Sequence, residues 1–206
     1  MLALVVAHLV VALLLPLVSV RSHRTAFLVA AVLPALTLVW ALAQSGVALG
    51  PGLAETTPWA PSLGLELSFR LDALALAMIV LVSGLGAVIL VYSAGYFGPT
   101  SEEATRSAAL VLTFAGVMLG LVLADDLLTL YVFWELTSIT SYLLVGQRGE
   151  KRESRRAALQ ALLVTVLGGL SMLLGFVLLG EAAGTYRISE ILADPPAAGW
   201  SRWRCC

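Results

Sequence analysis

The chain has 206 residues, of which 60% are hydrophobic and only 12% charged, with a formal net charge of −1 and a mean hydropathy of +0.96. That balance excludes an ordinary soluble domain, and no nucleic-acid partner is expected of it. It describes an all-α polytopic membrane protein, in which the placement of the basic residues carries more information than their sum.

Six apolar stretches are long enough to span, given a rise of about 1.5 Å per residue and a hydrocarbon core about 30 Å thick. They lie near 2–20, 25–43, 72–97, 107–124, 127–146 and 158–180. The first lacks a basic start, exceeds the apolar run of a signal peptide and ends in Arg21-Ser-His-Arg24 without a small-residue cleavage site, so it is expected to stay as a helix. His8 sits inside it near the outer end, and without a visible partner it reads as packed or interfacial rather than as a proton relay.

The connection 44–71 is read as an external loop, since Pro51, Pro58, Pro61 and Trp59 suit an irregular segment at the interface. Within it Leu65, Leu67 and Phe69 alternate with Glu66, Ser68 and Arg70, which predicts a short external strand, half of a hairpin. Asp72 and Asp126 each open a span, where a carboxylate caps free N–H groups and meets the positive end of the helix dipole. Gly116-Val-Met-Leu-Gly120, Ser171-Met-Leu-Leu-Gly175 and the adjacent Gly168 and Gly169 allow close backbone approach, and they are expected to mark packing within the molecule. Residues 181–206 form an external tail, and 1–206 is read as a single membrane domain.

Charge alternates between connections. Arg21, Arg24, Arg106, Arg148, Lys151, Arg152, Arg155 and Arg156, eight of the twelve basic residues, fall on one side. The other side receives Glu55, Glu66, Asp72, Asp125, Asp126 and Glu181 with few bases beyond Arg70 and Arg187. The positive-inside rule therefore puts both termini outside and the 148–156 connection inside, where its bases also meet anionic headgroups.

Soluble-type chemistry is missing from the pattern. There is no Gly-rich phosphate loop, no His/Cys cluster and no nucleophile with a base at useful spacing. The adjacent Cys205 and Cys206 match neither a metal-ligand pattern nor a prenylation box. No cofactor and no metal are expected, and a transporter subunit is favoured over a hydrolytic or transferase enzyme.

The informative residue is Glu135, the only charge in the stretch from Leu127 to Gly146. An ionisable group at that depth costs at least a few kcal/mol, so it faces a partner or a water-filled path rather than lipid. On a 3.6-residue period Tyr131, Glu135, Ser138 and Tyr142 share one face, and Thr137, Thr140 and Ser141 widen the polar sector. A carboxyl bordered by hydroxyls can hold water and pass protons. The plainer alternative is a carboxyl hydrogen-bonded to a neighbouring helix as static glue, with the hydroxyls bonded to their own helix carbonyls.

Tyr131-Val-Phe-Trp-Glu-Leu-Thr-Ser-Ile-Thr-Ser-Tyr-Leu-Leu-Val-Gly146 resembles the signature of the fifth helix in the large component of Mrp-type multisubunit cation/proton antiporters. Phe69-Arg-Leu-Asp-Ala-Leu-Ala-Leu76, Val91-Tyr-Ser93, Val122-Leu-Ala-Asp-Asp-Leu127, Val164-Thr-Val-Leu-Gly-Gly169 and Thr185-Tyr-Arg-Ile-Ser-Glu-Ile-Leu192 are similar to it in order and spacing. The resemblance, to the A-type subunit of these antiporters, covers about 70–192 well and 1–69 by hydropathy and topology. The superfamily also contains antiporter-like subunits of respiratory complex I and membrane hydrogenases, which share a Trp-Glu in this helix.

The resemblance implies the N-terminal part of an antiporter subunit in a bacterial plasma membrane, a partner in a hetero-oligomer of Mrp subunits, exchanging Na⁺ or another monovalent cation for H⁺. It further implies that Glu135 takes part in proton translocation, paired with a lysine on the following broken helix, whose approach and withdrawal load and unload the carboxyl. Tyr131, Ser138, Ser141 and Tyr142 are the candidate path around it. The only lysine here is Lys151, in a connection, and the chain stops where the family continues, so a truncated chain is expected. Two other readings stand beside this one: a proton-pumping subunit of a complex I-like or hydrogenase assembly, and a membrane structural fragment without transport.

Overall fold

The computed structural model describes residues 1–16, 23–60, 65–96, 102–146 and 152–196. Arg21, Pro61, Arg148, Lys151, Cys205 and Cys206, singled out above, lie outside these residues. In chain order the elements are α1 (Leu2–Leu14), α2 (His23–Ala43), α3 (Ser45–Ala48), β1 (Leu53–Ala60), β2 (Leu65–Leu71), α4 (Ala73–Tyr96), α5 (Glu102–Leu123), α6 (Leu127–Val145), α7 (Arg152–Ala183) and α8 (Ile188–Ala193). Among the described residues five helices, α2, α4, α5, α6 and α7, are long and apolar enough to cross a membrane, and α1 is a shorter apolar helix.

Two boundaries differ from the sequence expectation for a physical reason. The helix expected at 2–20 is described only to Leu14, because Pro16 has no N–H for the Ala12 carbonyl; residues 17–22 lie outside the described residues. The span expected at 158–180 is the middle of α7, whose 32 residues reach about 48 Å, well beyond a 30 Å core. Its first turns carry Arg152, Arg155 and Arg156, which extend the helix beyond the apolar layer.

Within the connection 44–71 the described residues form the short helix α3 and the strands β1 and β2. The alternating segment is β2, and it pairs antiparallel with β1 in the register Leu53↔Leu71, Glu55↔Phe69 and Thr57↔Leu67. Gly52 enters the hairpin at φ +75°, a backbone conformation that residues with a Cβ avoid. Phe69 and Leu71 point inward, fully buried, and Asp125 donates its N–H to the Ser68 carbonyl at 2.9 Å. The hairpin thus lies over the corner between α5 and α6.

Residues 181–196 close back onto that corner instead of trailing away. Leu127 donates to the Tyr186 carbonyl and Ile188 to the Asp125 carbonyl, at 2.9 and 2.8 Å. The buried Asp125 carboxylate accepts from Ser189 N at 3.0 Å and from Ser189 Oγ at 2.7 Å, at the start of α8. Arg187 pairs with Glu66 of β2 at 2.9 Å, and the Met1 ammonium pairs with Glu55 of β1. These charges gather at the end that the basic-residue count assigns to the outside.

The core consists of two apolar clusters, one at each end of the bundle. The outer holds Val5, Ala41, Ala75, Leu76, Ile79, Val117, Leu119 and Leu123; the inner holds Ala12, Ala26, Phe27, Ala30, Leu90, Ala94, Ala104, Ala108 and Leu112. Early residues of α1 meet late residues of α5, and late residues of α2 meet early residues of α4, so both pairs run antiparallel. Gly116 receives the His8 side chain of α1, and Gly120 receives the Phe133 ring of α6. The GxxxG face of α5 therefore packs against two helices of its own chain, α1 and α6, at successive turns. Ser171 and Gly175 behave otherwise, because Gly175 meets nothing within 4 Å among the described residues.

Candidate functional site: the carboxyl of Glu135

Helix α6 is fixed at its outer end before it enters the apolar layer. The Asp126 carboxylate accepts from Leu128 N and Thr129 N, both at 2.9 Å, and the Thr129 hydroxyl donates to the Glu66 carbonyl at 3.2 Å. Burial raises the Asp126 pKa above its ordinary value, and these hydrogen bonds together with Arg187 oppose the rise. Asp72 caps α4 similarly, accepting from Ala75 N at 2.9 Å. Phe133, wedged against Gly120 and tilted against Phe69 at a centroid distance of 5.9 Å, sets the rotation of α6 about its axis.

That rotation turns Glu135 toward α7. Glu135 follows the Asp126 cap by nine residues, about 13 Å along the axis and hence near mid-membrane. Its Oε1 lies against Gly169, in the space a Cβ there would fill, with the Trp134 ring edge alongside. The oxygen is buried and has no hydrogen-bond partner among the described residues. A buried carboxyl oxygen without a donor loses its hydration with nothing in exchange, a penalty of about 1–3 kcal/mol. Oε1 is therefore held in a fitted seat, without a donor among the described residues.

Inward from Glu135, α6 and α7 enclose a cleft of about 220 Å³. Ser138, Ser141 and Tyr142 line it together with Thr137 and Trp134, opposite Ala158, Ala161, Leu162 and Thr165 of α7. Three of the five predicted site residues are thus brought together on one wall. Glu135 itself lies off that wall, and Tyr131 is one turn outward, half-buried.

The hydroxyls are partly engaged with their own helix. Ser138 donates to the Trp134 carbonyl at 3.2 Å, Thr137 to the same carbonyl at 2.7 Å, and Thr140 to Leu136 at 2.9 Å. Each keeps its lone pairs for a further donor. Two contributors were not anticipated. Gly169 looked like a generic packing residue, and Thr165 had no polar neighbours in sequence to draw notice. No cluster of three metal-ligating groups occurs among the described residues.

Comparison with known proteins agrees with this architecture. Residues 124–201 match the family described as NADH:quinone oxidoreductase/Mrp antiporter, TM, and residues 59–106 match NADH-Ubiquinone oxidoreductase (complex I), chain 5 N-terminus. The chain belongs to this family of antiporter-like membrane subunits and is a multi-pass membrane protein.

Within the family it is similar to the A-type subunit of the Na(+)/H(+) antiporter of Alkalihalophilus pseudofirmus, at 37% identity over 84% of this chain and 22% of the relative. It is 38% identical to the A/B-type subunit of a probable K(+)/H(+) antiporter of Rhizobium meliloti, over 79% of this chain and 17% of that protein. In the solved structure of the Mrp complex from Dietzia sp. DQ12-45-1b, one chain superposes with a TM-score of 0.78 at 33% identity, covering 99% of this chain and 21% of that one. The chain spans about a fifth of the length of these relatives.

Proposed function

We propose that the chain is the N-terminal part of a monovalent cation/proton antiporter subunit of a bacterial cell membrane, working with other antiporter subunits in a hetero-oligomer. Glu135 is the group that takes up and releases the proton. The observation that carries this reading is a carboxyl near mid-membrane whose buried Oε1 is seated on Gly169 beside the hydroxyl-lined cleft. An ionisable group at that depth marks a proton or ion path by default.

The cleft lined by Ser138, Ser141 and Tyr142 supplies the inner approach. Hydroxyls bonded to their own carbonyls still accept from water, so a short water chain there can reach the carboxyl. Uptake from this side and release toward the opposite face require the charge on Glu135 to be favoured in one state and disfavoured in another. A cation that approaches and withdraws does this by Coulomb coupling in a low-dielectric site. The family likenesses above, to subunits of an Na(+)/H(+) and of a probable K(+)/H(+) antiporter, support exchange of a monovalent cation. Na⁺ is the first candidate.

Glu135→Gln, introduced into the chain within its assembled antiporter, tests the assignment. The amide keeps the shape and hydrogen bonding but cannot titrate. ΔpH-driven cation flux in everted vesicles, normalised to protein amount, is expected to fall to background. Wild-type flux in that variant would return Glu135 to a structural role.

A further inference from the structure

The two apolar clusters of the bundle do not touch in the middle. On α1 the buried stripe runs Val5, His8, Ala12; on α4 it runs Ile79, Ser83, Gly86, Leu90. On α2 the buried Pro34 and Thr37 fall between Ala31 and Ala41, and on α5 Ala115 and Gly116 fall between Leu112 and Val117. All four helices thus exchange apolar for polar or small side chains at one level. Gly116 holds His8, while a Cβ on Gly86 would meet Ala115 and Pro34, so the four stretches share a single layer.

Three polar atoms in this layer are buried and unpartnered: His8 Nε2, Thr37 Oγ1 and Ser83 Oγ. Their residues are 0%, 1% and 1% exposed. His8 Nδ1 lies 2.8 Å from the Leu4 carbonyl. A carbonyl only accepts, so Nδ1 carries a proton. The charged residues of these helices, Arg24, Glu102, Glu103 and Arg106, stand near helix ends, nine or more positions from the layer in sequence. The ring is therefore neutral, and Nε2 offers a bare lone pair. Pro34 adds a further acceptor, since it has no N–H for the Ala30 carbonyl.

We infer that this layer is a mid-membrane water site, in which ordered water donates to His8 Nε2 and bridges to Thr37 and Ser83. Buried water is held by two to four polar partners, the number available here. A Cβ on Gly86 would meet only carbon, the Cβ atoms of Ala115 and Pro34, at an ordinary contact distance of 3.8 Å, so the small side chains at this level bring the helices close around the three polar atoms. The site is separate from Glu135. The two lie at nearly the same depth: Gly120 is level with Phe133, and Gly116, which holds His8, is one turn further in on the same face of α5. Measured along the axes, His8 and Glu135 then differ by about 3 Å in depth. A basic nitrogen bonded to water at that level is a second place within this chain where a proton can rest.

The full chain in lipid bilayers, labelled with ¹⁵N-histidine, gives a direct test, because the sequence has only His8 and His23. His8→Gln assigns the signals in solid-state NMR. The expected spectrum shows a neutral His8 ring protonated on Nδ1, with magnetisation passing from water to Nε2. Thr37→Val combined with Ser83→Ala removes two of the water's partners and is expected to weaken the transfer. A His8 ring without water transfer in the wild-type chain, or one protonated on Nε2, would overturn the site. Transfer that stays at the wild-type level when Thr37 and Ser83 are both replaced would overturn its location.

Discussion

Gly169→Ala is the substitution that most directly probes the seat of Glu135. The new Cβ would fall on Oε1, with Glu135 Cδ at 3.3 Å and Trp134 Cδ1 at 3.6 Å. Ordinary carbon contacts begin near 3.5 Å, so the carboxyl oxygen must retreat by more than about 1 Å. It can do so, since it ends a flexible side chain, and the backbone of α7 need not shift.

Gly168→Ala is the built-in control, because a Cβ there would meet no other element within 4 Å among the described residues. Both variants gain the helix preference of alanine over glycine, about 0.5–1 kcal/mol. Only the first carries a crowding cost, which reaches about 1–3 kcal/mol where neighbours cannot yield and is smaller here. Their thermal stabilities are therefore expected to be similar. Function is not: displacement of a reacting group by about 1 Å costs on the order of 10²-fold. ΔpH-driven flux through the assembled antiporter is expected to fall about 10- to 100-fold in Gly169→Ala and to stay at the wild-type level in Gly168→Ala. Equal flux in the two variants, whether high or low, would refute the argument that Gly169 positions the carboxyl.

Two further outcomes follow from the capped outer end and the charge distribution. Asp126→Ala removes the cap of α6 and is expected to lower stability by about 1 kcal/mol in thermal unfolding, whereas Asp126→Asn keeps the cap. Because burial raises the Asp126 pKa, its titration contributes stability that is present below the ordinary aspartate value of about 4 and is lost as pH rises through the raised value. Asp126→Asn should abolish that loss and match or exceed the wild type at neutral pH; a drop as large as in the alanine variant would contradict it. Topology is checked by a cysteine at position 147 in a chain whose Cys205 and Cys206 have been replaced. It is expected to resist a membrane-impermeant thiol reagent on intact cells, and ready labelling would reverse the orientation.

Much of this was legible in the sequence, because a bilayer makes charge expensive and therefore sparse. Glu135 stood out as the one charge in an apolar stretch, and Asp72 and Asp126 announced their caps by standing at span entrances. The strand β2 was visible through its alternation. Its partner β1 was not, since Leu53–Ala60 contains Pro58 and alternates poorly, and its pairing depends on backbone groups that any side chains can accompany.

What stayed hidden concerns contacts between elements. Gly169 differs from Gly168 in no way that a sequence displays; only the rotation of α6, fixed by Phe133 against Gly120, decides which glycine meets the carboxyl. His8, Thr37 and Ser83 are each unremarkable on their own helix, and a lone histidine in an apolar run is ordinarily packing. Their significance comes from a shared depth, which arises from the antiparallel registers of α1 with α5 and of α2 with α4. Helix α5 links the two features. One turn apart on the same face, Gly116 holds the histidine of the polar layer and Gly120 holds the aromatic ring that aims Glu135 at α7, so the His8 and Glu135 side chains are both positioned from a single helix.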